Sequence, residues 1–271
     1  MKKIVFIHLL NDFSGSPKVL SQVINTANQT EVDTYLYTCS GGTGFLSSVK
    51  AKCFSFPYKH FNNKFLTLLS FFTSQLILFF KLLKYRKDSD VVFYINTMLP
   101  FGAALAGKVL GKRVLYHIHE TTIKPVILKR FLRSIIKMTA SEVVFVSEYL
   151  RDVEVFDGVE STVIYNGIAD QKYLPRPKKH SELFTVLMIC SLRSYKGVHE
   201  FITLAKEILK IKPKVCFTLI LNASESDVNS FFQNEDLPMN LTIVTKLPDV
   251  THYYLASDLL VNLSILMKLI P

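Results

Sequence analysis

Three short stretches carry side chains able to do chemistry. Tyr116-His-Ile-His-Glu120 closes an apolar run and brings two imidazoles and a carboxylate to the point where a strand gives way to a loop. A histidine there can act as a polar catalytic group or share a proton with a neighbour, and a hydrogen-bonded structural histidine is the alternative. His117 and His119 stand at alternate positions and are expected on opposite faces of the strand, so that one of them meets a ligand. With no third ligand at suitable spacing, a zinc site is not expected. In the second stretch, CSLRSYKGVHEF, Arg193, Lys196 and Gly197 fall between a strand-like run and an amphipathic helix. Backbone N–H groups, a helix start and two cations at one loop would suit a diphosphate, with an ordinary solvated loop as the other reading. In the third, LLNDFSGSPKVLSQ, Gly15 precedes a helix and would let a ligand approach the backbone. Neither this loop nor SGGTG, with Gly42 and Gly44, has the G-x-G-x-x-G spacing, so a nicotinamide-dinucleotide fingerprint is absent.

These stretches need elements to hold them. Strand-like runs (IVFIHLL, TYLYTC, DVVFYIN, RVLYHIH, EVVFVS, STVIYN) alternate with helical patterns over 17–28, 44–51, 65–85, 100–110 and 125–138. Alternation of this kind predicts parallel strands joined by helical crossovers, an α/β fold with a Rossmann-like first domain at 1–170. Two prolines and several cations in DQKYLPRPKKHS, Asp170 to Ser181, mark a linker. A second Rossmann-like domain at 181–271 follows, with LFTVLMIC, VCFTLIL, LTIV and DLLVNL as strands, the last a buried parallel one, and an amphipathic helix on GVHEFITLAKEILK. Tandem domains of this kind are expected to face each other across a ligand cleft.

Composition narrows the partners. With 271 residues, 49% apolar and 12% aromatic, the chain can bury substantial cores. A formal charge of +10 favours an anionic partner: nucleotide phosphates, a lipid headgroup surface or nucleic acid. No nucleic-acid reader motif accompanies the charge, so nucleic acid is not expected. Cys39, Cys53, Cys190 and Cys216 are scattered and fit a reducing cytoplasm rather than a disulfide framework. The N-terminal MKKIVFIHLLND turns polar too soon for a signal peptide and reads as the first buried strand. FLTLLSFFTSQLILFF, residues 65–80, falls short of a spanning helix and is expected to be a packed helix with a solvated basic end, contact with anionic lipid being the alternative.

The ordered set SGSPKVL, SGGTGFL, YHIHE before TTIKP, VVFVSEYLRD, VIYNGI, ICSLRSYKGVHEFITLA and ASDLLVNLS resembles the bacterial glycosyltransferases of family four, which have the GT-B fold of two facing Rossmann-like domains. The resemblance implies transfer of a sugar from a nucleotide-sugar donor to a saccharide or polyprenyl-linked acceptor with retention of anomeric configuration, a hexosyltransferase type of activity in surface polysaccharide assembly such as O-antigen, capsule or lipopolysaccharide. It implies no cofactor and no metal, the nucleotide sugar being substrate, and a cytoplasmic place, with peripheral contact on the inner membrane face.

By the same resemblance His119, ahead of Glu120, is the histidine near the donor sugar, and Gly15 belongs to the loop near the diphosphate and acceptor. Ser147 and Glu148 match the Ser-Glu pair, Asn166 and Gly167 the Asn-Gly turn, and Lys196 the lysine of a phosphate clamp. Aligned on Lys196-Gly197, the clamp arginine falls on Ser191, and Arg193 lies two positions later. The segment ILMKLIP replaces the E-P-F-G-like segment expected after DLLVNLS. The expectation is therefore a C-terminally truncated enzyme with an incomplete second domain and impaired activity, or an inactive remnant that binds an acceptor or partner.

Overall fold

The computed structural model describes residues 2–120, 122–167, 183–245, 247 and 249–264. The chain forms two compact units, Met1–Ala169 and Asp170–Pro271. The stretch expected as a linker, and the terminal residues 265–271, lie outside the described residues.

In the first unit seven strands form one sheet: β1 (Lys3–Ile7), β2 (Asp33–Cys39), β3 (Lys52–Phe56), β4 (Val91–Asn96), β5 (Arg113–Ile118), β6 (Glu142–Phe145) and β7 (Glu160–Val163). Their order is β3-β2-β1-β4-β5-β6-β7, and every neighbouring pair is parallel. Burial on both faces accounts for the continuous apolar runs. Phe6 and Leu36 pack with Leu20 and Ile24 of α1 (Gly15–Ala27) on one side. Val5, Ile7, Phe93 and Ile95 pack on the other, against α2 (Lys64–Leu82), α3 (Phe101–Val109) and α4 (Val126–Thr139). Ala103, Ala104 and Ala106, all fully buried, let α3 sit close beneath its neighbours. A short α5 (Glu148–Val153) follows β6.

Helix α2 begins at Asn63, whose side chain accepts from the Phe65 and Leu66 N–H groups at 2.8 and 3.3 Å, a regular N-cap. Phe71, Gln75, Leu78 and Leu82 recur on one stripe and are buried, and Gln75 Oε1 accepts from the Gly102 N–H at 3.1 Å. The opposite face leaves Phe65, Leu69, Leu76 and Phe80 between 55% and 72% exposed. The helix expected to pack, with lipid contact as the alternative, does so along one stripe only; the other is apolar and open. Because the helical segment runs on through a 3₁₀ turn to Lys87, residues 64–87 are also long and apolar enough to cross a membrane by length and composition alone.

Two smaller expectations change. Residues 44–51 hold only a 3₁₀ turn, Phe45–Ser48, and β3 follows where no strand was expected. As an edge strand, β3 buries only Phe56, so its sequence lacks a two-sided apolar signature.

The second unit repeats the plan with β8 (Phe184–Cys190), β9 (Val215–Leu221), β10 (Leu241–Thr245) and β11 (Leu259–Leu260), ordered β10-β9-β8-β11 and parallel throughout. Val186, Met188, Phe217 and Leu219 pack on Val198, Phe201 and Ile202 of α6 (Val198–Ile211), the Phe201 and Phe217 rings 5.3 Å apart. Helices α7 (Glu225–Phe231) and α8 (Thr251–Ala256) complete the crossovers. The buried strand expected at DLLVNL is a two-residue edge strand whose leucines are about half exposed, since an edge position covers one side less completely. Both units are Rossmann-like.

Candidate active site

The first sheet's chain order turns around at β1: β2 and β3 lie to one side, β4 to β7 to the other. Adjacent connections therefore leave in opposite directions, and a crevice opens beyond the carboxyl ends of β1 and β4. Polar residues gather there. His8 follows β1, Asn96 ends β4, and His117, His119 and Glu120 come from the end of β5.

Asn96 joins them. Its amide nitrogen donates to the Ser16 carbonyl at 3.2 Å and lies 3.1 Å from His8 Nδ1. Its Oδ1 lies 2.9 Å from His119 Nε2. With the nitrogen turned to a carbonyl, the oxygen must accept from His119, which puts the imidazole proton on Nε2 and leaves the lone pair on Nδ1. Ser16 sits in the first turn of α1, so the same amide also fixes the helix start carrying Gly15, where no atom lies within 4 Å of a would-be Cβ.

His117 and His119 stand on one side of the strand, with ring centroids 4.3 Å apart. This corrects the opposite-face expectation: a strand's side chains alternate with period two, so residues two apart share a face. His117 Nδ1 pairs with the Tyr94 hydroxyl at 2.7 Å, and its Nε2 is buried without a partner among the described residues. Burial holds all three imidazoles neutral: His8 is lowered, His117 falls to about 4, and His119 falls to about 3 through burial and then the nearby His117 and His8. Burial pushes the Glu120 carboxyl up to about 7 despite backbone N–H bonds, including one from His119 at 3.3 Å. At the end of β4, Thr97 adopts φ 75°, a left-handed conformation that is strained for a β-branched residue. No group of three or more His, Cys, Asp or Glu is gathered as a metal site among the described residues.

The SGGTG loop supports this cluster. Asn11 Oδ1 accepts from the Leu46 N–H at 3.0 Å, its amide donates to Ser47 Oγ at 2.9 Å, and the Phe45 N–H bonds the Asp12 carbonyl at 3.2 Å. A Cβ on Gly44 would collide with the Asp12 backbone. Gly44 therefore lets one loop lie flat on the other and holds the β1–α1 connection in place.

Other expected residues lie apart from this network. Ser147 caps α5, accepting from the Leu150 N–H at 3.2 Å, and Glu148 is exposed on its first turn. Asn166 and Gly167 are exposed beyond β7. In the second unit, Arg193 is exposed and Lys196 half-buried in the turn between β8 and α6. Gly197 closes that turn at φ 80°, directly against the Leu263 carbonyl, which only a residue without a side chain permits. Burial raises the Cys190 thiol to about 11, with the Lys196 charge pulling the other way.

Residues 14–172 match the family model Glycosyltransferase Family 4. No curated protein matches the chain. Among solved structures, OtsA in its apo form is 15% identical with a TM-score of 0.70, over 97% of this chain and 78% of that one. The lipopolysaccharide outer core galactosyltransferase WaaB, apo form, is 14% identical with a TM-score of 0.61, over 97% and 74%. TarM of S. aureus, in complex with Fondaparinux, alpha-GlcNAc-glycerol and UDP, is 12% identical with a TM-score of 0.70, over 97% and 81%. These likenesses show the GT-B fold. With the family model spanning more than half of its residues, the chain belongs to glycosyltransferase family 4.

Proposed function

We propose that this glycosyltransferase moves a sugar from a nucleotide-sugar donor to a saccharide or lipid-linked acceptor with retention of configuration, in surface polysaccharide assembly at the cytoplasmic face of a membrane. The acceptor oxygen bonds the anomeric carbon as that carbon's bond to the diphosphate breaks on the same face. The acceptor proton leaves with the nucleoside diphosphate.

The observation that carries this reading is the His119–Asn96 pair at the sheet's switch point in a family 4 chain. An imidazole held neutral with its proton on Nε2 presents a lone pair at Nδ1, suited to accept from a sugar hydroxyl and orient the ring. With a pKa near 3 the ring is not an imidazolium at neutral pH and has no acidic proton to give, so His119 positions rather than protonates. In the second unit, Lys196 and the start of α6 supply positive charge for the leaving diphosphate, with Arg193 exposed in the same turn. The test is nucleoside diphosphate release from a panel of sugar nucleotides. Release that falls about 100-fold in His119→Ala supports the proposal; equal release by wild type and variant, or none with any donor, sinks it.

A further inference from the structure

We propose that Glu120 is a positioning residue: its carboxyl holds the strained turn at Thr97, and that turn keeps the Asn96 amide aligned on His119. This rests on the proposed transferase reading and deepens it at the same site. The peptide between Asn96 and Thr97 is gripped from both sides. Its carbonyl accepts from His8 Nδ1 at 3.2 Å on the β1 side, and its N–H donates to the His117 carbonyl at 2.8 Å on the β5 side. Up to this peptide the chain follows the sheet. The next torsion departs from it, with φ at 75°, and among the described residues no other non-glycine has a positive φ.

A β-branched side chain opposes that conformation, which persists only where the surroundings over-determine it. His8 and His117 fix the entry to the turn, and Glu120 fixes its exit. The Glu120 carboxyl accepts from the His119 N–H at 3.3 Å, and the Met98 N–H and the Thr97 hydroxyl lie against the same carboxyl and favour its charged form. The hydroxyl is buried but completes no hydrogen bond of its own, so the backbone N–H groups on either side, and not the hydroxyl, tie the turn to the end of β5. Without the carboxyl, Thr97 is free to relax to a negative φ. The end of β4 then turns, and the Asn96 side chain loses its place between the Ser16 carbonyl at 3.2 Å and His119 Nε2 at 2.9 Å. Substitution at 97 separates this role from direct contact of Glu120 with substrate. Glycine adopts φ 75° at no steric cost, whereas alanine removes the same hydroxyl and keeps the Cβ that opposes the turn.

The experiment uses the full chain with its histidines labelled with nitrogen-15. Without donor, the His119 Nε2–H is identified by NMR through its absence in His119→Ala, and its exchange with water reports how firmly Asn96 holds the ring. Glu120→Ala should speed that exchange about tenfold or more, and should lower kcat for nucleoside diphosphate release from UDP-, GDP- and ADP-linked hexoses by about tenfold or more with KM changed less than about threefold. Glu120→Gln, which keeps an oxygen for the N–H groups, should lose severalfold less than Glu120→Ala in both measurements. Thr97→Gly/Glu120→Ala should recover most of each loss, and Thr97→Ala/Glu120→Ala should recover none. Should Glu120→Ala fail to fold, Glu120→Ser takes its place in both double variants. Rescue by glycine and alanine alike, rescue by neither, wild-type exchange in Glu120→Ala, or a loss confined to KM would each overturn the proposal. No release from any donor by the wild type would instead count against the transferase reading, and the exchange of the His119 proton would still decide the role of Glu120.

Discussion

His119 gives its Nε2–H to Asn96 Oδ1 at 2.9 Å, while the same amide holds the Ser16 carbonyl at 3.2 Å, so one side chain couples the end of β5 to the first turn of α1. Asn96→Ala leaves a carbonyl and a ring nitrogen unpaired and is expected to lower stability by about 1–3 kcal/mol. Freed to rotate, His119 should lose about 100-fold in kcat with a smaller change in KM. Asn96→Asp separates positioning from packing. A carboxylate beside Nε2 favours the imidazolium, so His119 should titrate well above its depressed value near 3, visible by NMR. An unchanged titration in Asn96→Asp would show that the pair does not set the ring's state.

Glu120 makes stability depend on pH in an unusual direction. Its folded pKa of about 7 exceeds the ordinary 4.5, so between these values the folded chain binds more protons than the unfolded chain and stability falls as pH rises. The contribution is unfavourable above pH 7 and vanishes below about 4.5. Glu120→Gln, which cannot ionise, should be more stable than wild type at pH 8 by up to about 3 kcal/mol and equal to it near pH 4. Chemical denaturation at the two pH values measures the difference; parallel curves across the range would contradict it.

The fold was legible because each buried strand is a continuous apolar run and each crossover helix has a striped pattern. DVVFYIN and RVLYHIH announce central strands in this way. What could not be read was pairwise geometry. Asn96 looks like any polar residue closing a strand until β4 is set between β1 and β5, and His8 gains meaning only beside it. A sharper reading was nonetheless available: polar residues ending the strands on either side of the switch point would have directed attention to His8 and Asn96. The supporting role of Gly44 was equally silent, since a glycine loop that lies against a neighbouring backbone has the same composition as any other glycine-rich turn. For α2 the sequence left a packed helix and lipid contact both open, because apolar residues all round a helix do not say which stripe is covered.

Lys196 stands at the start of α6 in a turn closed by Gly197, so its charge adds to that of the helix end. Lys196→Ala should weaken binding of a nucleoside diphosphate by about 10- to 100-fold while leaving the nucleoside unaffected. Arg193, being exposed, should contribute less, and Arg193→Ala is expected to change affinity about threefold or less. Calorimetric titration decides the order. Equal losses from nucleoside and diphosphate in Lys196→Ala would place the lysine on the base or ribose rather than the phosphates.

Glu154 tests how the first unit's last elements are held. It is fully buried after α5, yet it pairs with Lys129 and Arg133 of α4. Arg133 also donates to the Val155 carbonyl at 2.8 Å and stacks 4.8 Å over the Phe156 ring. Removing the carboxylate alone strands two partly buried cations, so Glu154→Ala should cost about 3–5 kcal/mol, whereas breaking the exposed Glu207–Lys210 pair should cost under about 0.5 kcal/mol. The cluster need not exceed what apolar packing would provide in its place. Glu154→Leu with Arg133→Met and Lys129→Met exchanges charges for hydrocarbon of similar size and should recover most of the loss. If the triple variant is as unstable as Glu154→Ala, the charges themselves, and not merely the filled space between α4 and α5, set the docking of that corner.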